Sequence, residues 1–126
     1  MKKALYLTVA LFFLLSCEPR SDYDYIVINN CKETIKVSSV TFPNKESTVM
    51  IAVNTQKLIF SMPTIESSVD INDNRVSTRF VSIIITKGQD TSQVNYLDNN
   101  LWRAESISKN KAVFYLSVNP SDFESE

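Results

Sequence analysis

The chain has 126 residues, with 13 basic against 14 acidic side chains, no histidine and a single glycine. The near balance of charge, without a cluster of Lys or Arg, argues against a nucleic-acid partner. Without histidine there is no Ser-His-Asp or Cys-His catalysis and no imidazole metal site, and one glycine cannot build a phosphate-binding loop. We therefore predict a protein that is not an enzyme and that uses no metal or cofactor.

The N-terminal segment is typical of a secretory signal. Two lysines precede an apolar run at residues 4–15, ALYLTVALFFLL, which is shorter than the roughly 20 residues that a membrane-spanning helix requires. The end of the run, Leu14-Leu15-Ser16-Cys17, resembles the bacterial lipobox. The resemblance implies that a signal peptidase recognises Leu14, Leu15 and Ser16, removes residues 1–16, and leaves Cys17 acylated on its thiol and its new amino group. An ordinary cleaved signal with an incidental cysteine is the alternative.

Acylation would decide where the protein resides. Each buried CH₂ contributes about 0.8 kcal/mol, one chain anchors only marginally, and two hold a protein firmly to a bilayer. We expect a lipid anchor in the cell envelope, at the outer membrane, with the choice between its periplasmic and surface faces left open. Cys31 then has no partner within the chain, and a Cys17–Cys31 disulfide is the alternative. Residues 17–22 (CEPRSD) would form a tether, and residues 23–126 one domain large enough for a single core.

Apolar residues recur at every second position after the tether, which indicates strands rather than helices. The predicted strands are YDYIVIN (23–29), ETIKVSSVTF (33–42), STVMIAVN (47–54), QKLIFS (56–61), RFVSIIIT (79–86), SQVNYL (92–97) and KAVFYLSV (111–118). After a signal-peptide helix, this pattern predicts an all-β fold. We expect an immunoglobulin-like two-sheet β-sandwich of about seven strands, with a small β-barrel as the alternative. The predicted core is Ile26, Ile28, Ile35, Val37, Ile51, Val53, Phe60, Ile84, Phe114 and Leu116, with Trp102 covering one sheet end.

Local patterns carry further expectations. In VSSVTF the apolar alternation changes phase, which predicts a bulge or bend near Ser38 and Ser39. RFVSIIIT is apolar on both faces, as in a central strand that is covered on both sides. Residues 62–78 form the longest irregular connection and hold either a short edge strand or a crossover between sheets. Gly88 lies where a hairpin requires a positive φ, and the stretch beginning at Trp102 could open with one helical turn.

A family resemblance covers most of the chain after the signal. The segments DYDYIVINNCKETIKV, RFVSIIITKGQD, LDNNLWR, AVFYLSV and PSDF, together with the lipobox, resemble small lipoproteins of the Bacteroides group. The resemblance implies a Gram-negative envelope and a β-sandwich. It implies no catalytic residue.

One segment provides a candidate ligand surface. Tyr96, Trp102 and Arg103 lie close together in NYLDNNLWR, and rigid aromatic rings beside a cation are common on recognition surfaces. The alternative interpretation places Trp102 in the core and Tyr96 in a strand.

A second segment groups oxygen ligands as a calcium loop would: Asp70, Asn72, Asp73 and Asn74 in DINDNR. An EF-hand template that starts at Asp70 requires glycine and glutamate where this chain has Arg75 and Val81. We therefore expect a solvated turn at this segment and no metal site.

These patterns predict a lipid-anchored binding or scaffolding module with a protein or glycan partner. The alternative is an inhibitor or immunity-type lipoprotein that blocks a toxin or a secreted hydrolase. A hydrolase based on carboxylates is a third possibility and would require two acids converging in one cleft.

Overall fold

The computed structural model describes residues 20–72 and 76–124. The predicted lipobox residues Leu14, Leu15, Ser16 and Cys17 and the predicted signal-peptide helix fall outside these ranges, as do Asp73, Asn74 and Arg75 of the acidic segment. Within the described ranges, no helix has the length and apolar character needed to span a bilayer.

Eight strands account for most of the described chain. In chain order they are β1 (Ser21–Asn29), β2 (Ile35–Thr41), β3 (Lys45–Ile51), β4 (Gln56–Thr64), β5 (Phe80–Lys87), β6 (Asp90–Thr91), β7 (Trp102–Ser108) and β8 (Lys111–Val118). One helical turn, α1 (Val76–Arg79), precedes β5, and 3-10 turns lie at Asn99–Leu101 and Pro120–Phe123. The first strand therefore includes two residues, Ser21 and Asp22, that the sequence assigned to the tether.

The strands form two four-stranded sheets that pack face to face. Sheet A has the order β4-β1-β8-β7, in which β1 runs parallel to β8 and antiparallel to β4. Sheet B has the order β3-β2-β5-β6 and is antiparallel throughout. The described residues thus make a two-sheet sandwich and not a closed barrel, which confirms the predicted fold class. The long connection after β4 is a crossover from sheet A to sheet B, one of the two predicted possibilities.

The core takes the opposite face of β1 from the one predicted. Tyr23, Tyr25 and Val27 are fully buried, whereas Ile26 and Ile28 lie on the other face and are only half-buried. The alternation of β1 fits either face, since both carry large side chains. The tyrosines occupy the interior because each ring buries a large area and its hydroxyl finds a partner there: Tyr23 donates to Glu66 Oε2 at 3.0 Å.

Most of the other predicted core positions are buried, and two are exposed. Ile35, Val37, Ile51, Phe114 and Leu116 are buried as predicted, and Phe60 is half-buried and packs against the core. Two predictions are wrong: Val53 is exposed in the turn after β3, and Ile84 is exposed between buried Ile83 and Ile85. Strand β5 is therefore covered on one face only, because sheet B has the core on one side and solvent on the other.

The bulge predicted near Ser38 and Ser39 is absent from β2. The buried positions Ile35, Val37, Ser39 and Thr41 alternate without interruption, and the register shift against β5 lies between Val40 and Thr41. Small hydroxyl side chains fit the inward positions here, and Thr41 Oγ1 donates to the carbonyl of Lys45 at 3.4 Å. Because Ser39 and Thr41 are polar, the sequence pattern did not identify them as core positions.

The segment predicted as a strand at residues 92–97 is irregular, and the strand lies farther along, at Trp102–Ser108. Asn95 Oδ1 accepts from the backbone N–H of Leu97 at 3.2 Å, and Asp98 Oδ1 accepts from that of Asn100 at 3.0 Å. These side chains satisfy backbone donors locally and so favour turns over a ladder. The expected helical turn precedes Trp102, as the 3-10 turn, instead of beginning with it.

Gly88 and Cys31 lie at the end of the sandwich opposite Ser21. Gly88 has φ +61° in the hairpin between β5 and β6, as predicted. Cys31 is a buried, free thiol whose Sγ lies 3.8 Å from the carbonyl oxygen of Val118. Burial raises the pKa of this thiol.

Candidate functional site

A row of side chains crosses the outer face of sheet A at one level. Leu58 of β4 pairs with Ile26 of β1, Ile26 with Tyr115 of β8, and Tyr115 with Arg103 of β7. We call these four residues the Tyr115 row. Leu58 and Arg103 at the two ends are exposed, and Ile26 and Tyr115 between them are half-buried. The row thus presents two aliphatic side chains, one aromatic ring and one cation to solvent.

The alternation of β7 and β8 places the aromatic ring and the cation together. Phe114 and Leu116 face the core, so Tyr115 faces outward, and Arg103 follows the inward-facing Trp102. The Arg103 Cζ lies 4.6 Å from the centroid of the Tyr115 ring, a cation–π contact, and its Nη1 lies 3.6 Å from Glu105 Oε2. Because both charged groups are solvated, the ion pair adds little to stability, and both groups remain accessible to a partner.

Charged side chains flank the row on the side nearer to Ser21. Asp24 Oδ2 lies 3.2 Å from Lys111 Nζ, and Asp24 Oδ1 accepts a hydrogen bond from Ser61 Oγ at 2.6 Å. Asp24 is more enclosed than Lys111, so its carboxylate is held in place while the lysine extends into solvent. The outer face of sheet A therefore combines an apolar and aromatic centre with charges of both signs at its margin.

A cleft continues the row beyond the edge of sheet A. It has a volume of about 260 Å³ and opens between the edge strands β3 and β4. Leu58 belongs to both the row and the cleft. The other lining residues are aliphatic and aromatic side chains on β4 and hydroxyl or lysine side chains around them: Thr41, Lys45, Ser47, Ile59, Phe60 and Ser61. An apolar group that contacts Leu58 can thus extend into the cleft.

The predicted ligand surface does not form as one surface. Tyr96 is 2% exposed and Trp102 is 5% exposed, so only Arg103 of the three residues is available to a ligand. The Trp102 indole Nε1–H donates to the carbonyl of Tyr96 at 2.8 Å, and its ring contacts Tyr25 and Phe80. Trp102 is therefore a core residue, the alternative that the sequence left open. Sequence reasoning missed Tyr115, although its position between Phe114 and Leu116 already indicated an outward ring.

Tyr96 joins two distant segments through its hydroxyl. Its O–H donates to Asp122 Oδ2 at 3.1 Å, and its oxygen lies 2.7 Å from Ser92 Oγ. The Ser92 O–H donates to the Asp122 carbonyl. Burial raises the pKa of Tyr96 well above its ordinary value, and the nearby Asp122 carboxylate raises it further, whereas the Ser92 hydrogen bond lowers it. This arrangement holds the C-terminal turn against the loop that precedes β7.

The raised pKa of Tyr96 predicts a loss of stability in alkali. The unfolded chain loses this proton near pH 10, whereas the folded chain keeps it to higher pH, so the free energy of unfolding falls as the pH rises above about 10. Tyr96→Phe should lose about 1 kcal/mol at pH 7 through its missing hydrogen bonds and should show a shallower decline from pH 9 to 11. Urea unfolding across this range measures both effects. Because burial also raises the pKa of Tyr23, Tyr96→Phe should keep part of the decline in stability. If the variant and the wild type lost stability with the same slope from pH 9 to 11, the prediction would be wrong.

The acidic segment forms a turn where it is described. Asp70 Oδ1 accepts from the backbone N–H of Asn72 at 3.0 Å, and the backbone N–H of Asp70 donates to the Tyr23 hydroxyl at 2.9 Å. Over residues 20–72 and 76–124, no group of three or more His, Cys, Asp or Glu side chains is placed to hold a metal ion. The hydrogen bond from Asp70 to Tyr23 holds the crossover between β4 and β5 against β1.

A scan against protein-family models and searches of curated proteins and of solved structures found no match to this chain. The resemblance to Bacteroides lipoproteins therefore stays a prediction from the sequence. Among the described residues, the Tyr115 row and its cleft combine exposed aliphatic, aromatic and cationic side chains on one sheet face.

Proposed function

We propose that this protein is a lipid-anchored, non-enzymatic binding module of the cell envelope, with the Tyr115 row as its recognition surface. The observation that supports the proposal is the cation–π contact between the exposed Arg103 guanidinium and the Tyr115 ring on the outer face of sheet A. Tyrosine and arginine are among the residues that contribute most to binding energy at interfaces. Fatty-acylated Cys17, expected from the lipobox, would supply the anchor, and the resemblance to Bacteroides lipoproteins favours the outer membrane.

The chemistry of the row is suited to a protein or glycan partner. The guanidinium is exposed to solvent although its carbon lies over the ring, so its N–H groups can donate to carbonyl, carboxylate or sugar oxygens. Ile26 and Leu58 offer an apolar contact on the other side of the Tyr115 ring, and the cleft beside Leu58 can receive an apolar group. The row lies on the flat side of the sandwich, away from the end at which the chain enters β1, so an anchored domain leaves it free.

Photo-crosslinking in intact cells tests the surface. A photoreactive phenylalanine analogue would replace Leu58 on sheet A or, as a matched control, Ile84 on the outer face of sheet B. The two native side chains are 48% and 51% exposed, so their reach into solvent is comparable. We expect a discrete covalent adduct from position 58 that does not form from position 84. Mass spectrometry of the adduct then identifies the partner, and a toxin or secreted hydrolase would favour the inhibitor alternative.

Two alanine substitutions in the same cells test whether Arg103 contributes to partner binding. Arg103→Ala should reduce the yield of the position-58 adduct about tenfold, because loss of an arginine contact at an interface weakens binding by about 1.4 kcal/mol. Lys36→Ala removes an exposed cation from sheet B and should leave the yield unchanged. Equal adducts from positions 58 and 84, or no effect of Arg103→Ala, would show that this face is not the recognition surface.

A further inference from the structure

The end of the sandwich where the chain enters carries an unusually exposed side chain. Ser21, the first residue of β1, pairs with Thr64, the last residue of β4, and Ile65 follows immediately. Ile65 is 81% exposed, and it lines a shallow cleft with Arg20, Pro63 and Thr64. A large aliphatic side chain therefore lies in solvent directly beside the first described residue of the chain.

Phe42 lies directly after β2, at the corresponding end of sheet B. It follows the last residue of β2, and its backbone N–H donates to the carbonyl of Arg79 at 3.2 Å. The Arg79 guanidinium carbon in turn lies 4.5 Å from the ring centroid of Tyr23, near the start of β1. These contacts place Phe42 at the Ser21 end. At 56% exposure, Phe42 ranks second to Ile65 among the exposed large apolar side chains of the described residues.

Two more exposed isoleucines extend this apolar group. Ile71 follows Asp70, whose backbone N–H donates to the Tyr23 hydroxyl near the start of β1. Ile107 precedes Ser108, the last residue of β7. Ser108 pairs with Lys111, and Lys111 pairs with Asp22 at the start of β1. We call Phe42, Ile65, Ile71 and Ile107 the entry-end apolar group. Exposed large apolar side chains that gather in one region indicate a binding surface.

The position of Cys17 indicates what covers this group. Only three residue steps separate Cys17 from Arg20, so the chain can hold an acylated Cys17 no farther than about 11 Å from Arg20. Acyl chains at that distance keep a lipid surface closer to the entry end than to the opposite end of the domain. We propose that the entry-end apolar group inserts into the interface of the bilayer that holds the acyl chains, an inference that rests on the proposed lipid anchor. Charges of both signs lie nearby, Arg20 and Glu66 among them, so the contact depends on apolar insertion and not on anionic lipid.

Tryptophan reporters in the acylated mature protein test the contact. The variants Phe42→Trp and Ile65→Trp report from the entry end, and Val53→Trp reports from the exposed turn at the opposite end as the matched control. Each is reconstituted into phosphatidylethanolamine–phosphatidylglycerol vesicles with ordinary or brominated acyl chains. The native Trp102 is buried and gives the same background in all samples. We expect the emission added by either entry-end substitution to fall by about half in brominated vesicles, with a blue shift, and the emission added by Val53→Trp to stay constant.

The outcomes separate this contact from the anchor itself. Quenching at both entry-end positions but not at position 53 supports the docked orientation. If the protein floats with the vesicles and the entry-end reporters are not quenched, or all three are quenched alike, the docking is wrong although the anchor is real. If the protein does not float with the vesicles at all, the proposed lipid anchor itself is wrong. Circular dichroism of each variant confirms that the sheets are intact.

Discussion

Tyr25→Ala is expected to lower the free energy of unfolding by about 4 kcal/mol, the largest loss of stability from a single substitution in this chain. Tyr25 is fully buried, and its ring lies 5.0 Å from that of Phe114, 5.2 Å from Phe80 and 5.6 Å from Trp102, measured between centroids. These rings come from β1, β8, β5 and β7, so the Tyr25 ring joins both sheets. Removing it leaves a cavity that rigid strands on both sides cannot close.

Tyr25→Phe is the matched control for the ring. It keeps the aromatic contacts and removes the hydroxyl that accepts a hydrogen bond from Arg79 Nη1. We expect a loss of about 1 to 2 kcal/mol, since a charged donor loses one partner. Urea unfolding followed by circular dichroism measures both variants. A small domain has only about 5 to 15 kcal/mol of stability in total, so Tyr25→Ala should shift the midpoint strongly. Equal losses in the two variants would show that the hydroxyl, and not the ring, accounts for the effect.

Cys17→Ala is expected to abolish acylation completely. The wild-type N-terminal peptide should begin at Cys17 and carry the mass of the added acyl chains. The variant should retain residues 1–16 and carry none, because the lipobox chemistry requires the thiol. Mass spectrometry of the purified protein and partition between detergent and aqueous phases measure the difference, since two acyl chains hold a protein firmly to lipid.

Cys31→Ala is the matched control, because Cys31 is the other cysteine of the chain and lies buried in the domain. It should keep the acyl mass and the detergent partition of the wild type, with a small loss of stability from the missing side chain. A wild-type protein with an unmodified N-terminus would contradict the lipid anchor. It would also remove the basis for membrane contact by the entry-end apolar group, while leaving the Tyr115 row as a surface.

The sequence predicted most of the strands because their signal is local. In β1 and β2, and in β8 from Phe114 onward, the side chains alternate between two environments at every second residue, and the sequence of each segment shows this pattern by itself. Turn positions could be predicted from local residues in the same way, as the positive φ of Gly88 shows. The failure at residues 92–97 has a local cause as well. Asn95 and Asp98 offered the backbone partners that compete with a ladder, and the alternation of apolar residues concealed them.

The choice of core face in β1 could not be read from the segment. Ile26 and Ile28 are as apolar as the core requires, yet Tyr23 and Tyr25 are the buried residues. A tyrosine can be buried only if its hydroxyl is satisfied, and the groups that do this for Tyr23 come from Glu66 and Asp70 in the crossover. They are more than 40 residues away in the chain.

By itself, then, the sequence predicted an all-β fold and favoured the two-sheet β-sandwich over a barrel, and it predicted the lipid anchor that the proposed experiments test. Only the tertiary structure decided which faces are buried and that Tyr115 meets Arg103, because these depend on the register between β7 and β8 and on the packing of one sheet against the other. The same dependence placed Phe42 and Ile65 at one end of the molecule, since residues far apart in the chain become neighbours only when the strands have paired.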